Sequence, residues 1–148
     1  MRFGWGGAAA LAGAVVLMSA CASAPEMPQA AALESAAMCH ALFDTDAEVQ
    51  QRLTRFGSDM DDLCACFVSE HDALDAEGQA TMMALSAKVI EVRDANGFTT
   101  TEEAVELMED DQTGAVYGFE WDRLKAGGEP VEEAMIRAQR DPAGCVAP

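Results

Sequence analysis

Cys64 and Cys66 stand two apart inside a segment whose apolar residues recur at helical spacing, and no other feature narrows the possible folds as far. At about 100° per residue, side chains two apart on a helix point roughly 200° away from each other, so these two thiols cannot bond together without unwinding it. The stripe Met60, Leu63, Phe67 and Leu74 lies between them, with Cys64 at one edge and Cys66 at the other. Cys39 and Cys145 complete a set of four. Two disulfides are expected: one of the central cysteines joins Cys39 on an earlier helix and the other joins Cys145 in the tail, with either assignment open. In the chain-entropy model a loop of about 25 residues contributes about 3 kcal/mol and one of about 80 rather more than 4.

Disulfides need an oxidising compartment, and the N-terminus supplies a route to one. Arg2 precedes an uncharged Gly/Ala/Val/Leu run from Trp5 to Met18, followed by the small residues Ser19 and Ala20. That is the layout of a secretory signal peptide over residues 1–20. The run is about 14 residues long against the roughly 20 a membrane-crossing helix needs, and several glycines weaken it further.

Leu17-Met18-Ser19-Ala20-Cys21 resembles the lipobox of bacterial lipoproteins, in which small residues precede a cysteine that receives diacylglycerol before cleavage. The resemblance implies that Cys21 is lipidated and that the membrane is reached through this N-terminal anchor. Met18 departs from the aliphatic residue usual there, and Ala22 in place of Asp leans toward the outer membrane rather than the inner one. The expected address is the bacterial envelope, lipid-anchored and facing the periplasm. Ordinary cleavage at Ala20-Cys21-Ala22 would instead give a soluble periplasmic protein.

After residues 1–20, residues 21–32 carry Pro25 and Pro28 among Ala, Ser, Gln and Glu, and read as the lipidated N-terminus and a flexible spacer. Residues 33–148 then form one domain of about 115 residues, long enough to bury a core without a cofactor. Of the nine Lys and Arg only Arg2 lies in the leader, leaving eight against 26 Asp and Glu and a net charge of −18. Such a surface repels phosphate backbones and anionic headgroups, so no nucleic-acid partner is expected.

The pattern is helical throughout, and no stretch alternates as a strand. Leu33 to Phe43 reads as a first helix; Thr45-Asp46-Ala47-Glu48 is a capping-box pattern opening a second that Gly57 ends. Ser58 suits the cap of a third. After Gly78, a fourth runs from Gln79 to Arg93 with Met82, Leu85, Val89 and Val92 in one stripe. Thr99 or Thr100 with Glu102 or Glu103 caps a fifth. Val116 to Lys125 gathers Phe119, Trp121 and Leu124 before Gly127-Gly128 closes it, and Pro130 opens a last helix with Val131, Ala134, Met135 and Ala138 inward. The expected fold is all-α: a compact bundle of about five to seven short helices stapled by two disulfides.

Site chemistry is sparse. Met38-Cys39-His40, Cys64-x-Cys66 and His71 are soft ligands suited to copper or zinc, but thiols on opposite flanks of one helix cannot chelate one ion. Haem attachment would need a cysteine where Ala36 stands. A redox dithiol is disfavoured by Asp59, Asp61 and Asp62, whose charge raises a nearby thiol pKa. Glu109, Asp111, Thr113 and Glu120, with Gly114 and Val116 between them, match several positions of an EF-hand loop, although Glu109 stands where that loop has Asp. The simpler reading is a turn between acidic helices, with no metal. No hydrolase, phosphate-loop or dinucleotide motif is present, so no catalytic residue and no cofactor is assigned. The expectation is a small acidic envelope lipoprotein that is not an enzyme and acts as a structural or protein-interaction module with an envelope protein partner. The alternative is a periplasmic metal-binding protein, holding Ca²⁺ at the acidic turn or a soft metal through the Cys/Met/His set.

Overall fold

The computed structural model describes the backbone of residues 27–145 and the side chains of 34–145. The leader, Cys21 and the first half of the spacer lie outside the described residues. Six helices follow in order: α1 (Met27–Phe43), α2 (Ala47–Phe56), α3 (Met60–Ala73), α4 (Ala76–Asn96), α5 (Thr101–Glu109) and α6 (Trp121–Arg140), then a 3-10 turn (Pro142–Cys145). The described residues contain no strand, and none of their helices is long and apolar enough to cross a membrane.

Local chemistry accounts for most helix ends. Gly57 and Gly97 close α2 and α4 in the left-handed conformation, at φ 79° and 68°, which glycine adopts without a Cβ clash. Thr100 and Glu103 form the capping box of α5, and Asp59 and Asp62 that of α3. Asp46, one residue beyond Thr45, caps α2 by accepting from the N–H groups of Glu48 and Val49. Ser58 is displaced from the cap position because its hydroxyl is buried and donates to the Ala138 carbonyl of α6.

Three expectations about boundaries fail for physical reasons. Gly78 does not interrupt the chain: Asp75 accepts its N–H and starts α4 ahead of it. α1 begins at Met27, ahead of the expected Leu33, since Pro28 suits a first helical turn and the alanines after it favour helix. The break at Gly127-Gly128 is absent, and α6 runs unbroken through both glycines and Pro130. Gly127 is buried where α6 crosses α4, and a Cβ there would sit 3.0 Å from Leu85 Cδ2 and 3.3 Å from the Thr81 carbonyl oxygen. It is a point of close helix approach, and packing on both sides outweighs the cost of two glycines and a proline.

α3 sits at the centre, packed on α1, α6 and the closing turn, while α4 bridges α1, α5 and α6. Phe67, Leu53, Leu63, Met82 and Met108 are fully buried between these layers, and Ala134 and Ala138 let α6 approach closely. The two cysteines of α3 reach different neighbours: Cys39–Cys64 ties α1 to α3 with Cα atoms 5.5 Å apart, and Cys66–Cys145 ties α3 to the closing turn at 4.6 Å. Arg137 reinforces the second tie by pairing with Glu70 of α3 and donating to the Gly144 carbonyl at 3.0 Å.

Candidate functional site

The residues with soft-metal chemistry are dispersed. All four described cysteine sulfurs are in disulfides. His40 is on the surface beside Asp44, at 2.9 Å, while His71 is buried in α3 with Nδ1 3.1 Å from Asp72. Met82 and Met108 are core residues, and Met38 and Met60 pack against that core.

The acidic turn is organised by backbone rather than by converging carboxylates. Asp111 accepts the N–H groups of Ala115, Val116 and Tyr117 at 3.1, 2.7 and 2.9 Å and the Thr113 hydroxyl at 3.3 Å. These bonds, that from Tyr117 first, hold the Asp111 carboxyl below its ordinary pKa against a smaller opposing effect of desolvation. Gly114 is required at φ +70°, since a Cβ would lie 2.6 Å from the Glu120 nitrogen. Glu109 ends α5 and Glu120 precedes α6 without a side-chain cap bond. Among the described residues no group of three or more His, Cys, Asp or Glu is placed to hold a metal ion.

An open apolar groove lies elsewhere. α5 and α6 each pack on α4 but make little contact with each other. Between them a groove of about 660 Å³ is left, floored by Leu85, Ser86 and Val89 of α4 and lined also by Leu42 and Phe43 of α1 and Val49 of α2. Its walls add Val105 from α5 and Trp121, Leu124, Val131 and Met135 from α6. Trp121 keeps 43% of its surface exposed at the groove edge.

Polar groups within the groove divide into two kinds. Asp46 and Thr101, at its α2 and α5 end, satisfy each other: one carboxylate oxygen takes the Thr101 N–H at 2.8 Å and its hydroxyl at 2.9 Å, while the other caps α2. Ser86, 2% exposed on the floor, is different. Its Oγ is the one buried side-chain polar atom without a hydrogen-bond partner among the described residues. The rim is acidic, with Glu48, Glu102, Glu106, Glu109, Glu129 and Glu132 facing only Arg52 and Lys125. Lys125 is already drawn toward Glu129, at 3.8 Å.

The sequence offered little sign of this groove, since its residues come from five helices. The available signals were Ser86, a hydroxyl beside the apolar stripe of α4, and Trp121, a large aromatic at the start of α6 that stays partly exposed. No family model, curated protein or solved structure matches the chain. The groove combines an apolar floor, one unsatisfied buried hydroxyl beneath it and a predominantly acidic rim.

Proposed function

We propose that this protein is exported to a bacterial envelope, carries lipid on Cys21, and works there as a non-catalytic module that binds another envelope protein. The carrying observation is the open apolar groove between α5 and α6, because concave apolar surface on a small domain is where a partner gains most from excluding water. The leader and the lipobox-like segment support anchoring at the periplasmic face of the outer membrane, and the net charge of −18 restricts membrane contact to the lipid. Two disulfides fit an oxidising compartment.

A photo-crosslinking residue at Val105, in the groove wall, is compared with one at Val116, which is exposed and does not line the groove. In intact cells the Val105 site should yield a discrete adduct with an envelope protein and the Val116 site should not. Equal adducts from both positions, or none from Val105, would remove the basis for a groove-centred module. Palmitate labelling of the wild type that disappears in Cys21→Ser tests the anchor, and an unlabelled wild type would make the protein soluble and periplasmic.

A further inference from the structure

Resting on the binding-module reading, the geometry points to an occupant for the groove: an amphipathic helix of a partner protein, with apolar residues on its inner face and lysine or arginine along both flanks. Three observations converge on this chemistry. The first is architectural. α5 and α6 each pack on α4 while making little contact with each other, and the gap between them is lined by Leu85 and Val89. A helix laid there fills the gap by the same side-chain interdigitation that packs the rest of the bundle, and helix-in-groove recognition uses anchors at helical spacing in this way.

The second is electrostatic. Glutamates border the groove on both sides: Glu102, Glu106 and Glu109 follow α5, and Glu129 and Glu132 follow α6. Against these five glutamates the same two walls carry one cation, Lys125 on α6, and it is drawn to Glu129. Two predominantly acidic rows separated by an apolar floor match a helix whose basic residues flank an apolar stripe. An acidic or neutral helix would leave the rows facing each other across a desolvated gap, where like charges repel most strongly.

The third is the floor itself. Ser86 is 2% exposed and its unpartnered Oγ is enclosed beneath the floor, so the surface that an incoming helix meets along α4 is apolar. Trp121, half in and half out at the edge, is a residue type enriched at binding hot spots and can close over the occupant.

The test uses the oxidised full chain and a synthetic peptide of leucine and lysine with leucines at helical spacing. Controls are a scrambled peptide of identical composition and one with glutamate replacing lysine. Amide resonances of Leu85, Ser86, Val89 and Val105 should move saturably with the amphipathic lysine peptide. Affinity should fall by about tenfold or more in the Glu102→Lys, Glu106→Lys double variant, whose two sites are exposed on α5, and should weaken with added salt. Binding of the scrambled peptide with equal strength, or shifts spread over the acidic surface, would overturn the inference as non-specific charge attraction. Equal binding of the glutamate peptide would overturn the charge assignment. Failure of every peptide while the Val105 adduct persists, or seating of a small cationic amphiphile in their place, would overturn the helical occupant and leave the binding module standing. Loss of the Val105 adduct would remove both.

Discussion

Asp46 carries more of the structure than its position at the start of a short helix suggests, and its replacement gives a graded prediction. The carboxylate is 1% exposed and accepts four hydrogen bonds, two from the first turn of α2 and two from Thr101 at the start of α5. Asp46→Ala removes the cap of α2, worth about 1 kcal/mol. It also strands the Thr101 N–H and hydroxyl in a buried site at about 1–3 kcal/mol each. The sum is a loss of about 3–7 kcal/mol. Asp46→Asn keeps the shape but turns one acceptor into a donor that faces other donors, and should cost about 2 kcal/mol. Thr101→Val removes only the hydroxyl and should cost about 1 kcal/mol. Urea unfolding of the oxidised protein, followed by far-UV circular dichroism with a common slope, gives all three values. A loss of only about 1 kcal/mol for Asp46→Ala would mean that the α2 cap is the whole effect and the bridge to α5 contributes nothing. Equality of Asp46→Asn with wild type would refute the requirement for four acceptor positions.

Four further outcomes follow from the same structure. Ser86→Ala relieves an unpartnered buried hydroxyl and should raise stability by about 1 kcal/mol in the same urea assay, whereas a comparable loss would show that the hydroxyl has a partner. Gly127→Ala must displace Leu85 and should lose about 1 kcal/mol net, while Gly128→Ala, whose Cβ meets nothing closer than 4.0 Å, should gain about 0.5–1 in thermal or urea unfolding. Opening the bridge of sequence separation 79 with Cys66→Ser and Cys145→Ser should lower stability by about 4.5 kcal/mol, and opening that of separation 25 by about 3.5, so an inverted order would count against the loop-entropy account. Glu103 is held below its ordinary 4.5 first by the Thr99 N–H, and Asp111 below 3.8 first by the Tyr117 N–H. Each depressed carboxylate contributes stability that is complete above those ordinary values and lost as pH falls through the folded pKa. Acid titration by NMR should place both below their ordinary values, and Glu103→Gln should flatten the acid limb of the stability profile.

Helix identity and the inward stripe of α4 were legible because burial on one face imposes a period that residues Met82, Leu85, Val89 and Val92 display without knowledge of the partner. Both disulfides were legible as a set from helix geometry alone. Choosing Cys64 for Cys39 was not, since it depends on which side of α3 faces α1, a tertiary fact. The same limit explains α6. Gly127, Gly128 and Pro130 carry strong local signals for a break, and what overrides them is the approach of Leu85 from 42 residues away in sequence. The cap residues were each misplaced by one position at Thr45 and Ser58, because adjacent candidates have equal capping chemistry and only burial of Asp46 and Ser58 distinguishes them. The groove was the least legible feature, being defined by the two helices that fail to touch rather than by any motif.

The two disulfides also fix how the domain transmits a pull. Tension applied between Met27 and Cys145 runs along α1 to Cys39, across to Cys64, past one residue to Cys66, and across again to Cys145. That covalent route is short, and α2, α4, α5 and α6 hang from it as unloaded side loops. Strain applied between these two ends is borne without stretching the helices that form the groove. Reduction would reroute the same strain through every one of them.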